Sequence, residues 1–197
     1  FVNGSDDKQI GIMSSIKVGP TIADDIKNNS FLAVIGSLIV VFLYILIRFR
    51  KWQYSLGAVT AVFHDIIVVL GIFSLTYQFM PFNMEINQAF IAAILTVIGY
   101  SLNDTVVVFD RIREYINEHS KWSLDITLNK ALNNTLSRTL NTSLTTLIVL
   151  LAIFIYGGES IRGFMFALII GVLIGTYSSV FIATPIMFDT IKKKIVK

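Results

Sequence analysis

The chain has 197 residues, of which 54% are hydrophobic and only 15% are charged, whereas about 25% of the residues in a soluble domain are charged. With a mean hydropathy of +0.72, this composition predicts an all-α membrane protein and excludes a water-soluble domain. The absence of cysteine excludes disulfides and thiolate chemistry, and the net charge of +3 comes from short basic clusters between apolar runs, which indicates membrane topology rather than nucleic-acid binding.

Residues 1–27 are polar and of mixed charge, and we interpret them as an aqueous segment before the first span. They contain no basic region followed by a cleavable apolar stretch, so no signal peptide is predicted, and we expect a fragment of a longer polypeptide. The first uncharged apolar run covers residues 28–47. At about 1.5 Å per residue, a helix of this length crosses the hydrocarbon core of about 30 Å.

Two further spans are predicted at about 52–77 and 88–109, and each contains ionisable residues. The second span carries His64 and Asp65 near its middle. The third carries Asp104 shortly before its charged exit. Ionisable groups at these depths are rare in membrane helices and mark candidate functional positions.

The fourth span is predicted at 136–156, although its purely apolar part has only 13 residues and is too short to cross the membrane alone. Extending this span backwards places Arg138 inside the membrane boundary. A polar loop at 110–135, expected to be largely helical, precedes it. A fifth span at 163–185 follows, and a basic tail at 191–197 ends the sequence.

The orientation of the bundle, residues 28–190, follows from the distribution of its basic residues. Twelve of the 16 Lys and Arg residues fall on one side of the spans, and basic residues concentrate on the cytoplasmic side. We therefore expect the loop at 110–135 and the tail to be cytoplasmic. The segment before the first span is expected outside the cytoplasm.

Asp104 is the strongest candidate for a functional group. A carboxylate facing hydrocarbon costs on the order of 3 kcal/mol or more, so it is expected to face the bundle interior. Helical spacing places Tyr100 and Asn103 on the same face, which predicts hydroxyl and amide neighbours. Arg138, at the start of the next, antiparallel span, is expected at a similar depth and could form a salt bridge with Asp104.

The protonation state of an acid in this arrangement is sensitive to its surroundings, because burial favours the neutral form of a carboxyl and a nearby cation favours the ionised form. A proton carrier needs this sensitivity. Arginine keeps its proton, so it would tune or gate the acid rather than relay protons. Two other interpretations stay open. The carboxylate could merely link helices, and the arginine could extend to the lipid headgroups.

His64 and Asp65 do not predict a metal site, because adjacent helical residues point about 100° apart and no span holds a further His or Cys ligand. An interhelical hydrogen bond and a second station on a polar path are the open alternatives. Gly57 and the spacing of Gly171 and Gly175 predict close helix packing.

Motifs of soluble enzymes are absent from the sequence. It contains no phosphate-binding Gly-rich loop with Lys-Ser/Thr, no His-Glu-x-x-His helix and no Gly-x-Ser-x-Gly elbow. We therefore expect neither ATP hydrolysis nor covalent catalysis by this chain.

Five segments of the sequence, taken together, carry a resemblance to a known family. They are Val18–Pro20, Arg48–Phe49, His64–Asp65, Ile98–Glu114 and Ser137–Ser143. This series resembles the SecF family, the smaller half of the SecD/SecF complex of bacterial protein export. The third-span string is highly specific, and the resemblance covers about residues 18 to 190.

The resemblance implies five of the six spans of a half-transporter of resistance-nodulation-division (RND) type, which pairs with a SecD half, separate or fused. It implies an inner-membrane protein that uses the proton motive force to draw preproteins out of the SecYEG channel, together with other Sec accessory proteins. Asp104 and Arg138 match the family's proton path, and Asp65 is a weaker match. Residues 1–27 would be the end of a truncated periplasmic domain and its linker. No cofactor is implied, since protons are the coupling ion.

Two other functions stay open. Half of an RND-type small-molecule exporter would share the charges within the membrane. A purely structural assembly subunit would leave both charges dispensable.

Overall fold

The computed structural model describes the backbone of residues 20–119 and 121–195 and the side chains of residues 28–119 and 121–192. The predicted aqueous segment 1–27 lies outside these described residues, apart from helical backbone from Pro20 onward. Val18 and Gly19, which contribute to the family resemblance, also lie outside them.

The described residues form helices joined by short connections. In chain order they are α1 (Pro20–Phe49), α2 (Trp52–Thr76), α3 (Gln88–Glu118), α4 (Leu124–Tyr156), α5 (Glu159–Ser178), a π-helix (Ser179–Ala183) and α6 (Thr184–Ile195). Five helical stretches are long and apolar enough to cross a membrane, the fifth being the continuous run from α5 into α6. The predicted all-α bundle of five spans is thereby confirmed.

The helices extend beyond the apolar runs from which the spans were predicted. The polar loop at 110–135 is largely helical, as predicted, because α3 continues to Glu118 and α4 begins at Leu124. The two helices therefore project together past the end of the apolar core, and only a short connection joins them.

Polar contacts stabilise this projecting end of the bundle. Arg48 at the end of α1 forms an ion pair with Asp110 of α3, with 2.8 Å between Nη2 and Oδ2. Arg111 pairs with Glu114 one turn later and donates from Nε to Oδ1 of Asn134 on α4 at 2.9 Å. Such pairs at i and i+3 favour helix without an apolar stripe, which explains why this polar sequence remains helical.

An aromatic cluster fixes the tight turn between α1 and α2 against α3. Phe49 stacks on Tyr54 with 5.0 Å between ring centroids, and Phe109 meets Tyr54 edge-on at 5.1 Å. All three rings are buried. The first two spans are thereby held in a defined position relative to the third.

The fifth helical stretch does not end where its proline predicts. A proline inside a helix removes one hydrogen-bond donor and crowds the preceding turn, so the sequence predicts an end near Pro185. Instead, a π-helix precedes this residue and α6 continues to Ile195. The hydroxyl of Thr184 donates to the carbonyl of Ser179, five residues earlier, at 3.0 Å. The widened turn accommodates the proline without breaking the helix.

Glycines allow the central helices to approach closely. α3 packs against α2, α4 and α5. A methyl group added at Gly175 of α5 would lie 2.9 Å from Cβ of Ser101 on α3. One added at Gly57 of α2 would lie 2.5 Å from the carbonyl oxygen of Ala183. Gly171 is similarly crowded by a side chain of α3, so the predicted close packing at these glycines is confirmed.

We expect Gly175→Ala to destabilise the bundle by about 1–3 kcal/mol, since the new methyl group has no room against α3. Unfolding in detergent, followed by circular dichroism, measures the change. The matched control is Gly71→Ala on α2, where nothing lies within 4 Å of the added group and helix propensity favours alanine by about 1 kcal/mol. Equal stability of the two variants would contradict this packing.

Candidate functional site

Asp65 lies at the centre of the bundle, where three helices meet. Its side chain is 1% exposed. Its Oδ2 accepts hydrogen bonds from the hydroxyls of Ser101 on α3 at 2.6 Å and Ser178 on α5 at 2.7 Å. The carboxyl group therefore ties α2 to both of its neighbours.

His64 extends the Asp65 group toward the edge of the bundle. Its Nδ1 lies 3.2 Å from Oδ1 of Asp65, and its side chain is 34% exposed. Of the two alternatives predicted for this pair, the interhelical hydrogen bond is realised through Asp65. Among the described residues, no three His, Asp or Glu side chains come together as metal ligands would.

Asp104 occupies a second buried position, on the side of α3 that faces α4. It is 3% exposed, and Oγ of Ser143 on α4 lies 3.4 Å from its Oδ2. The same serine oxygen lies 2.6 Å from Oγ1 of Thr176 on α5. Hydroxyls from two helices thus form the polar surroundings of Asp104, and it faces the bundle interior as predicted.

Arg138 is exposed and forms no ion pair with Asp104 in the described structure. The helix geometry gives the reason. Asp104 faces Ser143, and Arg138 lies five residues earlier on α4, about 7.5 Å along the axis and on a different side of the helix.

Arg138 instead lines a cavity of about 380 Å³ between the projecting parts of α3 and α4, which we call the vestibule. Its lining residues are Val107, Asp110, Arg111, Glu114, Asn134, Thr135 and Arg138. Charges of both signs line this space, so Arg138 has carboxylate neighbours there. The vestibule reaches Val107 on α3, about one helical turn from Asp104.

The other polar neighbours predicted for Asp104 face elsewhere. Asn103 is exposed and makes no hydrogen bond to Asp104, because adjacent helical residues are rotated by about 100°. The hydroxyl of Tyr100 donates to Oγ1 of Thr146 on α4 at 3.3 Å. The predicted amide and phenol neighbours are therefore replaced by serine and threonine hydroxyls.

The two buried acids are connected through shared helices. On α3, Ser101 binds Asp65 and lies one turn from Asp104, about 4.5 Å along the axis. On α5, Thr176 contacts the Ser143 hydroxyl next to Asp104, and Ser178 binds Asp65. A displacement of α3 or α5 therefore changes the surroundings of both carboxyl groups.

Sequence reasoning did not identify the hydroxyl partners of these acids. Ser101, Ser143, Thr176 and Ser178 are common residues in apolar runs, where most hydroxyls bond to the carbonyl one turn earlier. The spacing of Ser101 three residues before Asp104 was the one local signal that could have indicated a shared polar face.

A helical bundle that spans the membrane and holds two carboxyl groups between its helices defines a class, that of polytopic membrane proteins with an ionisable core. The family described as "Protein export membrane protein SecD/SecF, C-terminal" matches residues 2–193. The chain belongs to this SecD/SecF family.

Curated relatives show the same similarity. The chain is 55% identical over 172 residues to the protein translocase subunit SecF of Rhodothermus marinus, covering 87% of this chain and 56% of that protein. It is 44% identical to the protein translocase subunit SecDF of Brucella abortus, covering 86% of this chain and 22% of that protein.

A solved structure has the same fold. The crystal structure of SecDF from Thermus thermophilus, described as a translocon-associated membrane protein, is 37% identical with a TM-score of 0.81 and covers 89% of this chain and 23% of its own. The chain thus spans somewhat more than half of its SecF relatives and about a quarter of the SecDF structure.

We expect Asp65→Leu to lower the stability of the bundle by about 1–3 kcal/mol, the cost of leaving the buried Ser101 hydroxyl without an acceptor, whereas Ser178 keeps its bond to the carbonyl of Gly175. Asp65→Asn keeps an acceptor oxygen and should lose less. Thermal unfolding in detergent measures both, with Thr60→Val as the control, since that exposed hydroxyl bonds only within α2. Equal losses from the leucine and asparagine variants would argue against the three-helix bond.

Proposed function

We propose that this chain is the membrane part of a SecF-type subunit of the bacterial Sec protein-export machinery, which uses the proton motive force, together with SecD, to promote preprotein translocation. The family membership and the printed names of the relatives support this function. The observation that carries the mechanism is a carboxyl group, Asp104, buried next to a vestibule that holds Arg138.

In the proposed mechanism, protonation of Asp104 changes its attraction to Arg138. When Asp104 is ionised, the guanidinium is drawn toward it. When Asp104 is neutral, Arg138 is released to the vestibule, where Asp110 and Glu114 are the competing acids. A proton at one site thereby biases a two-state motion of α3 relative to α4.

Asp65 serves as a second station in this proposal, because any such motion changes its bonds to Ser101 and Ser178. The hydrogen bonds of Asp65, which hold the central helices together, and the Asp104 carboxyl, which binds the proton, then belong to one polar core. Movement of one elementary charge across the membrane provides about 2.3 kcal/mol per 100 mV, which is comparable to the worth of one or two buried hydrogen bonds.

The cellular location and the partners that we propose are those that the SecD/SecF family implies. The chain would be a multi-pass protein of the bacterial inner membrane, with its N-terminal segment periplasmic and its C-terminus cytoplasmic. Its partners would be a SecD half, separate or fused, the SecYEG channel, other Sec accessory proteins and the unfolded preprotein. It would carry out no covalent catalysis and would use protons in place of a cofactor.

We expect Asp104→Asn and Arg138→Lys each to reduce proton flux and proton-driven preprotein export. The amide cannot gain or lose the proton, and lysine lacks the planar fork of donors that matches a carboxylate. Both rates are measured in membrane vesicles that contain the full-length protein with its SecD partner and SecYEG, with and without an imposed proton gradient.

Matched controls are Asp189→Asn on the exposed surface of α6 and Arg162→Lys near the start of α5, which should leave both rates unchanged. Wild-type rates in the Asp104 and Arg138 variants would instead favour a purely structural subunit. Loss of proton flux without loss of preprotein export would favour a small-molecule exporter.

A further inference from the structure

The buried face of α4 carries a hydroxyl at every fourth residue between the vestibule and Asp104. Thr135, Thr139 and Ser143 are 6%, 2% and 4% exposed, and residues four apart share one face of a helix. Thr135 lines the vestibule, and Ser143 contacts Asp104. Thr139 lies between them.

Thr139 differs from the other two in its hydrogen bonding. Thr135 donates to the carbonyls of Ala131 and Leu132 at 3.1 and 3.0 Å, and Ser143 contacts Asp104 and Thr176. The buried Oγ1 of Thr139 has no hydrogen-bond partner among the described residues. Threonines elsewhere on α4 bond to carbonyls of their own helix, so this unpartnered hydroxyl is an exception.

A buried hydroxyl without a partner loses its hydration, and such a loss is normally offset by an ordered water molecule. Successive hydroxyls on this face are about 6 Å apart along the helix axis. This spacing is about twice the length of a direct O–H···O hydrogen bond. A proton can therefore pass between Thr135, Thr139 and Ser143 only by way of bridging water.

We propose that Thr139 binds water in a hydroxyl-lined route along the buried face of α4, through which the Asp104 carboxyl releases its proton to the vestibule. The inference rests on the proposed proton-coupled function. At each step, a water or hydroxyl oxygen accepts one proton while it releases another to the next oxygen. The first transfer breaks the O–H bond of Asp104 and leaves its carboxylate, and the last gives the proton to water in the vestibule, so no net charge remains on the route.

The test compares Thr139→Val with Thr139→Ser in the full-length protein, assembled with its SecD partner in membrane vesicles. Valine keeps the shape of threonine and removes the hydroxyl, so proton flux should fall by about tenfold, the factor that about 1.4 kcal/mol of barrier produces. Serine keeps the hydroxyl and should restore most of the flux.

Stability measurements separate this role from packing. Valine leaves no described protein group without a hydrogen-bond partner, so the melting temperature of Thr139→Val should stay close to that of the wild type. The matched control is Thr145→Val, an exposed position on the same helix whose hydroxyl bonds to the carbonyls of Asn141 and Thr142, and it should keep normal flux.

Unchanged flux in Thr139→Val would overturn the inference, and so would an equal loss of flux in Thr139→Ser, because that would mean that the packing of the side chain, and not its hydroxyl, limits the flux. Asp104→Asn is measured in the same vesicles. If it blocks flux while Thr139→Val does not, only the route is wrong. If neither has an effect, the proposed coupling itself fails.

Discussion

Removing carboxyl groups from water inside a membrane is the constraint on which the packing of this bundle depends. Asp65 meets it with hydroxyls from two other helices, and bonds of this length require the helices to approach closely. Gly175 permits that approach, because any side chain there would collide with Ser101. The polar core and the close glycine packing are thus two aspects of one arrangement, and neither could be kept without the other.

The sequence was sufficient to predict the five spans and the burial of the Asp104 carboxyl between the helices. Both depend on local quantities: the length of an apolar run against the membrane thickness, and the desolvation of one side chain. Asp104 was expected to face the interior because facing lipid would cost too much, and its burial agrees. The five spans and the close packing at Gly57 follow from the same kind of local reasoning.

The partners of each acid could not be predicted, because they depend on how neighbouring helices are rotated and shifted along their axes. Arg138 was expected opposite Asp104 from depth alone, but rotation of α4 presents Ser143 there instead. Asn103 was expected on the face of Asp104 from helical spacing, but adjacent helical residues are rotated by about 100° and Asn103 is exposed. Pro185 was expected to end a span, since the accommodating π-helix leaves no clear signal in the residues before it.

The π-helix has a geometric consequence for the last span. Its wider turn inserts about one residue into the helical repeat, which shifts the phase of every later residue by about 100°. Ser178 before this insertion faces Asp65 of α2, and Met187 after it packs closely against α2 at Gly57. Because of this phase shift, the continuous helix from α5 into α6 faces α2 both before and after the π-helix, although it contains Pro185.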